Sequence, residues 1–306
     1  MRPPSPFTLP RRPSVDGTSR LRGDVLWRYF SIDGAGVTVA AWQPARDTVH
    51  FRATPAKSDA TTTAGAAESQ ATAAHLEQAI GRLRFGLGVD DDLSGFYRRF
   101  RRDPLLGPLL RRRPDRRPPR LTSPWEALAW AIVRQLIEAR RAATICRRIV
   151  GRWGDAGPGG LRDAPGAAIL AGVAPAELES LDLAPRRSLV LRRVAATVAR
   201  GRIEIADPAA DRHLLAHDQV GPWTVACLGL LGRGEPDALP AGDLDYLKLV
   251  GGRDRRGRGV LRALPPLPRP GRRVHPRRCP HRPRQLTRKP PPAGRRHRVT
   301  PQVCGE

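Results

Sequence analysis

Several features that would each indicate a class of protein are scarce in this sequence of 306 residues. No apolar run approaches the roughly 18 residues that a membrane-spanning helix needs. Residues 1–12, MRPPSPFTLPRR, hold prolines and arginines where a secretory signal has its apolar core, so we expect no signal peptide. The four cysteines form no CxxC pair, which argues against a disulfide framework or a zinc knuckle. These absences predict a soluble protein of the reducing cytoplasm.

Acidic residues are also scarce relative to basic ones. The chain has 54 Lys+Arg against 29 Asp+Glu, a net charge of +25, and only three of the basic residues are lysines. This excess argues against an enzyme with a neutral surface and favours a polyanionic partner. Hydrophobic residues still make up 40% of the chain, which permits a folded core.

The last 54 residues, 253–306, lack aromatic residues altogether and hold 17 Lys+Arg against two acids, Asp254 and Glu306. Such a composition cannot bury enough apolar surface to fold, so we expect a disordered tail. Three interpretations are open: an arginine-rich arm that binds nucleic-acid phosphates, a passive solvated tail, or an out-of-frame stretch of a GC-rich gene.

The N-terminal part predicts a small α+β domain over residues 21–112, preceded by an unstructured lead over 1–20. Short β-like runs follow from Arg22 to Arg52, with Asp33-Gly34 as a hairpin signal between the first two. Helices are predicted around 73–85 and 93–100. The run RRRPDRRPPR at 111–120 predicts a solvated linker at the domain boundary.

The second domain, predicted over residues 113–252, is all-helical. Its clearest helix begins after Ser123 as N-cap, with Pro124 at the first position and Glu126 completing a capping box. The apolar residues then recur at helical spacing through Leu136 and Ile137. Further helices are predicted at 141–152, 175–180, 187–200 and 208–216.

A tight turn at Val220-Gly221 predicts a helical hairpin, with one helix ending near His217 and the next beginning at Pro222, Trp223 and Thr224. Backbone N–H groups at such a turn form an anion site, which on DNA would hold one phosphate without reading sequence. The alternative is a plain αα-hairpin inside a helical core.

The motifs VGPWT and LPAGDLDYLKL, within residues 220–249, resemble the helix-hairpin-helix–GPD superfamily of base-excision DNA glycosylases, in particular the DNA-3-methyladenine glycosylase II type. The resemblance covers about Asp103 to Val250 and extends weakly into the α+β domain. It implies a mostly helical glycosylase fold and a monomer that removes alkylated bases from duplex DNA in base-excision repair. The expected location is a bacterial-type cytoplasm, on the nucleoid.

The resemblance implies that Asp243 is the catalytic carboxylate, because the family places it about twenty residues after the hairpin Trp, here Trp223, in the AGDL context. Cleavage of an N-glycosidic bond builds positive charge on the sugar, which a carboxylate stabilises, or it deprotonates the attacking water. The alternative is that Asp243 only caps the next helix. Asp237 and Asp245 are the competing carboxylates.

Trp223 resembles the family's pocket aromatic, on which an extruded base stacks, and Cys227 lies one helical turn further on. Packing alone is the alternative for both. Relatives with lyase activity carry a lysine at the Trp223 position, so the resemblance implies a monofunctional enzyme. The cysteines do not cluster after Asp243, so neither an iron–sulfur cluster nor another cofactor is expected. The pair His213 and His217 lacks a third ligand, so no metal is expected either.

Gln135-Leu136 resembles the position from which relatives insert a side chain into the duplex, which fills the gap left by the flipped base. The alternative is that Leu136 continues the apolar stripe of its helix. The residues implied to contact DNA are therefore Gln135, Leu136, Val220, Gly221, Trp223 and Thr224.

The sequence departs from the family pattern in two places. Gln219 stands where relatives have a glycine with positive φ, which costs about 1 kcal/mol. After Val250, residues 253–306 cannot supply the further helices that close the pocket of relatives, so weak activity, low stability or both are expected. Two alternative functions follow: a non-catalytic DNA-binding remnant of the family, and a protein that coats RNA or DNA through its basic tail.

Overall fold

The computed structural model describes residues 1–56, 71–240 and Asp243. The chain divides into two units at Gly252, and all of the described residues belong to the first, Met1–Gly252. The predicted tail and the predicted helix after Asp243 lie outside the described residues. Among the residues described, no helix has the length and apolar character to cross a bilayer.

A four-stranded antiparallel sheet forms the N-terminal part, with the strands in chain order. The strands are β1 (Ser19–Arg22), β2 (Val25–Ile32), β3 (Ala35–Ala45) and β4 (Thr48–Pro55). The β2–β3 turn is the predicted one: Asp33 and Gly34 have φ of +50° and +81°, which only Gly, Asn and Asp adopt readily. The sequence did not predict β1, because the charged run SRLR carries no β-like apolar run.

The prediction of an unstructured lead over residues 1–20 is wrong. Phe7 and Leu9 are buried in the core beneath the sheet, and the N-terminal ammonium of Met1 donates to the carbonyl of Val49 at 2.8 Å. Two apolar residues among prolines show no periodicity, so the pattern could not reveal that they pack.

Ten α-helices lie in the described residues, and each helix predicted between residues 73 and 200 is present, with bounds shifted by at most two residues except for the one after Ser123, which ends at Arg134 instead of near Ile137. They are α1 (Ala73–Leu87), α2 (Ser94–Phe100), α3 (Leu106–Arg112), α4 (Pro124–Arg134), α5 (Ala139–Trp153), α6 (Ala167–Gly172), α7 (Pro175–Glu179), α8 (Pro185–Ala199), α9 (Asp211–Leu214) and α10 (Pro222–Cys227). Short 3-10 turns at Pro158–Gly160 and Pro208–Ala210 and a π-helical segment at Leu228–Arg233 complete them. Helices α3 and α6 were not predicted, and the stretch predicted as one helix over 208–216 is a 3-10 turn followed by α9.

Two apolar clusters form the core of the described residues. One lies between the sheet and α1 and includes Phe30, Val39 and Leu83. The other lies inside the helical body, around Trp130 and Ile132 of α4. The fold is therefore mostly helical with an N-terminal α+β part, as the sequence predicted.

A buried ion cluster, formed by Asp16, Arg28, Glu126 and Asp163, joins β2 to the start of α4. Arg28 Nη2 lies 3.0 Å from Glu126 Oε1 and 3.7 Å from Asp163 Oδ1. Burial opposes the charge on Arg28, but the three carboxylates outweigh it and raise its pKa. Burial likewise opposes ionisation of Asp16, yet Arg28 and hydrogen bonds from Thr18 lower its pKa. Both shifts favour the charged forms of Arg28 and Asp16 at neutral pH.

The start of α4 departs from the predicted capping box. Ser123 Oγ accepts from the Glu126 N–H at 3.1 Å, as expected. The Glu126 carboxylate is only 1% exposed and accepts from the hydroxyl of Thr122 at 2.7 Å and from Arg28. Burial against a cation of the sheet has replaced the local return bond to the Ser123 backbone.

The linker predicted over 111–120 is anchored at its C-terminal end rather than wholly solvated. Arg117 donates to the carbonyls of Gly88 and Ser5 at 2.9 and 3.0 Å, and Arg120 pairs with Asp91 at 2.9 Å. These two arginines therefore fix the chain against the α+β part, while Arg111, Arg112, Arg113 and Arg116 are exposed.

Candidate functional site

The predicted hairpin turn is present between α9 and α10. The Val220 N–H donates to the carbonyl of His217 at 3.1 Å, and Gly221 is the N-cap residue of α10. Residues 215–221 line an open hollow of about 500 Å³. The turn thus forms a concave, backbone-lined surface at the start of a helix, which is the geometry expected for an anion site.

Gln219 adopts the conformation that its position predicts. Its φ is +66°, in the left-handed region that glycine enters at little cost. Asp33, Leu136 and Asp182 are the other non-glycine residues with positive φ in the described part of the chain. Two of these four residues, Leu136 and Gln219, therefore fall in the candidate site.

Two side chains of the turn are unavailable to a ligand. Val220 and Thr224 are 4% and 1% exposed, and the Thr224 N–H donates to the carbonyl of Gly221 at 3.0 Å. The side chains of Asp218 and Gln219 are exposed and hydrogen-bonded to each other at 3.0 Å.

Leu136 does not continue the apolar stripe of its helix. Helix α4 ends at Arg134, and Leu136 follows with φ +52° and a side chain that is fully exposed, at 104% of the reference area. Ile137 packs against the core beyond it. A large apolar side chain held outward in a strained conformation indicates a role at the surface, because packing cannot explain it.

Gln135 faces the protein. Its Nε2 donates to the Gln219 carbonyl and to the Thr224 hydroxyl, both at 2.9 Å. The end of α4 and the hairpin turn are therefore in direct contact through this side chain.

The structure brings Trp223 and Asp243 together. Trp223 Nε1 donates to Asp243 Oδ2 at 3.2 Å, and both residues are half-buried. The Asp243 N–H donates to the Pro240 carbonyl at 2.9 Å. Two residues that are twenty positions apart in the sequence are therefore in direct contact.

Cys227 borders the same site. Its thiol is buried, and burial together with the nearby carboxylate of Asp243 raises its pKa to about 12. The thiol therefore stays protonated at neutral pH and does not act as a nucleophile.

The other candidate carboxylates and the histidines contribute less to the candidate site than Trp223 and Asp243. Asp237 is exposed in the loop after the π-helical segment, and Asp245 lies outside the described residues. The described residues contain no group of three or more His, Cys, Asp or Glu side chains arranged to hold a metal ion.

Arg187 is a residue near the candidate site that no sequence pattern predicted. Its Nη1 donates to the carbonyls of Gln135 at 2.7 Å and Val133 at 3.2 Å, in the last turn of α4. Burial lowers its pKa, as does the neighbouring charge of Arg141, while Asp182 opposes both. No sequence signal pairs it with a loop 52 residues away.

Comparisons with known proteins agree with this geometry. The chain is 28% identical to the probable bifunctional transcriptional activator/DNA repair enzyme AlkA of Mycobacterium tuberculosis, over 178 residues that make up 55% of this chain and 35% of that protein. It has a TM-score of 0.65 with the 3-methyladenine DNA-glycosylase of Archaeoglobus fulgidus, at 20% identity, covering 80% of this chain and 82% of the other. Both similarities are to proteins named as DNA-repair enzymes, in keeping with the resemblance of residues 220–249 to the helix-hairpin-helix–GPD superfamily.

Other DNA glycosylases of known structure have a similar fold at lower similarity. The Clostridium acetobutylicum 8-oxoguanine glycosylase/lyase, bound to double-stranded DNA containing cytosine opposite 8-oxoguanine, has a TM-score of 0.54 at 14% identity over 76% of this chain and 84% of the other. At such identities the likeness extends to the fold alone. The chain spans about a third of the length of the curated relatives it matches, and no family model matches it.

Proposed function

We propose that this chain is a monofunctional DNA glycosylase that hydrolyses the N-glycosidic bond of alkylated, 3-methyladenine-type bases in base-excision repair. The contact between Trp223 and Asp243 carries the proposal, because it places a carboxylate beside an aromatic side chain at the helical hairpin. Duplex DNA with a damaged base is the proposed partner, the protein acts as a monomer on the nucleoid in the cytoplasm, and no cofactor takes part.

Asp243 is the proposed catalyst. As the bond to the base lengthens, the sugar gains positive charge, and a half-buried carboxylate stabilises that charge more strongly than one in water. The same group can take a proton from the attacking water. The Trp223 N–H holds one carboxylate oxygen at 3.2 Å and so fixes its direction.

The leaving base needs little help from the protein. An alkylated purine is already cationic, so it departs as a neutral base without a strong general acid. The electron-rich face of Trp223 suits stacking with such an electron-poor ring. Cys227, which is uncharged, would line the pocket without competing for the cation.

Two surface features would hold the DNA. The backbone amides of Gly221 and Trp223 would bind one phosphate, and Leu136 would enter the duplex where the base has left. Trp223 also supports the absence of lyase chemistry, because an indole cannot form the Schiff base that a lysine would.

The decisive experiment measures base release from methylated duplex DNA by the wild type and Asp243→Asn, with Asp237→Asn as the matched control in the exposed loop. We expect a loss of at least about 100-fold for Asp243→Asn and full activity for the control, since one charge at the reacting centre is removed. Trapping with borohydride should give no covalent complex.

The other outcomes separate the alternatives. DNA binding without base release by the wild type would identify a non-catalytic remnant of the family. Equal release by Asp243→Asn and the wild type would exclude Asp243 as the catalyst. A trapped complex would contradict the monofunctional assignment.

A further inference from the structure

We propose that Gln135 and Arg187 are positioning residues that hold Leu136 and the hairpin turn as one rigid unit, so that wedge insertion and phosphate binding occur together. The inference rests on the proposed function, in which Leu136 enters the duplex. It assigns Gln135 a role inside the protein instead of a contact with DNA, and it gives Arg187 a role that the sequence did not predict.

The contacts of Gln135 support its role as a positioning residue for the hairpin turn. One amide nitrogen donates to two acceptors on the turn, the Gln219 carbonyl and the Thr224 hydroxyl, each at 2.9 Å. Thr224 is 1% exposed, so its hydroxyl depends on protein partners. The side chain next to Leu136 in sequence is thus already committed to the hairpin.

The contacts of Arg187 support its role as a positioning residue for the backbone before Leu136. The C-cap residue of α4, Gln135, donates its own N–H to the Ile132 carbonyl, but other carbonyls of the last turn of a helix still need donors from outside the helix. The Arg187 guanidinium supplies donors to two of them, those of Val133 and Gln135, from helix α8. The backbone immediately before Leu136 is therefore fixed from one side by Arg187, and the Gln135 side chain fixes it from the other.

Backbone strain explains why such fixing is needed. Leu136 and Gln219 have φ of +52° and +66°, which side-chain-bearing residues adopt only where the surroundings hold them. The bond from Gln135 to the Gln219 carbonyl joins the residue before one strained position to the other strained position. The two elements therefore cannot relax independently while this bond persists.

The test compares the wild type with Gln135→Glu, which keeps the shape and removes the donor, and with Arg187→Met. Gln78→Glu, on the exposed face of α1, is the control for the added negative charge. The readouts are the single-turnover rate of base release and the fluorescence of 2-aminopurine placed beside the lesion, which rises when the duplex is unstacked.

We expect Gln135→Glu and Arg187→Met each to slow base release from duplex DNA about tenfold and to lower the 2-aminopurine signal. On single-stranded substrate, where there is no gap to fill, the rates should stay within about twofold of the wild type. Gln78→Glu should match the wild type on both substrates. A loss of folded protein would slow base release from duplex and single-stranded DNA alike, whereas a positioning effect slows release from duplex DNA only.

A double-mutant cycle with Leu136→Ala decides the mechanism. If Gln135 acts by positioning Leu136, then Gln135→Glu should have almost no further effect once Leu136 is truncated. An undiminished effect in that background would show that Gln135 acts on DNA directly and would overturn the proposal. If the wild type unstacks the 2-aminopurine probe but releases no base, the proposed glycosylase function is wrong while the positioning role stands. If the wild type neither unstacks the probe nor releases base, both proposals are wrong.

Discussion

The two ends of helix α4 differ in almost every respect. At its start, Ser123 caps the backbone and Glu126 is buried beside Arg28 of the sheet, 3.0 Å from its guanidinium. At its end, the helix stops without a glycine, and Leu136 projects into solvent with a strained backbone. Helix α4, which is eleven residues long, thus begins at the buried ion cluster and ends two residues before the fully exposed Leu136.

This difference separates stability from function along a single element. The start of α4 is arranged for low energy, because buried charges are tolerated only when they are paired and hydrogen-bonded. The end of α4 carries strain that contributes nothing to stability. Residues that lower stability in this way are found where a ligand or substrate is bound.

The largest expected effect comes from breaking the buried end. Glu126→Ala leaves Arg28 buried with fewer partners, so we expect the free energy of unfolding to fall by about 3–5 kcal/mol. The control is Glu177→Ala, which breaks the exposed 3.1 Å pair with Arg152 and should cost at most about 1 kcal/mol. Urea denaturation followed by circular dichroism measures both. Equal losses would show that the ion cluster is not what joins α4 to the sheet.

The second prediction concerns the exposed end. Leu136→Ala should leave the midpoint of thermal unfolding unchanged but slow base release from methylated duplex DNA by about tenfold or more, because the gap left by a flipped base stays empty. Leu128→Ala, one residue of the same helix that is fully buried, should lower the free energy of unfolding by about 2–5 kcal/mol. A Leu136→Ala variant that unfolds at a lower temperature yet releases base at the wild-type rate would show that this end of α4 serves stability and not function.

The smallest effect is expected at the hairpin turn. Gln219→Gly removes a side chain from a residue with φ +66° and should raise the free energy of unfolding by up to about 1 kcal/mol. Base release should not fall, since the carbonyl that Gln135 binds is retained. Thermal melts of the two proteins under identical conditions test this, and a lower midpoint for the variant would show that the turn is not strained.

Local signals in the sequence predicted most of the elements that position the site. Asp33-Gly34 and Ser123-Pro124 act through their own backbone geometry, so the residues alone were sufficient for the β2–β3 turn and the start of α4. The family resemblance singled out both Trp223 and Asp243, but their contact is seen only in the structure.

The parts that could not be predicted depend on distant partners. Glu126 was assigned to a local capping box because nothing nearby indicates Arg28, which is 98 residues away. Leu136 fits the apolar period of α4 as well as any buried residue, and no glycine marks the end of the helix there. The apolar period shows which residues are apolar but not where the helix ends. Arg187 and the hairpin turn, which contact the end of α4, are distant in the sequence.

The protonated thiol of Cys227 has a consequence for chemical resistance. Alkylating agents attack thiolates far faster than thiols, and a pKa of about 12 leaves on the order of one thiolate in 10⁴ to 10⁵ at neutral pH. A protein proposed to repair alkylated DNA works in the presence of the reagents that cause the damage. By burying Cys227 near the carboxylate of Asp243, the fold keeps a potential nucleophile beside the candidate site from becoming a target of those reagents.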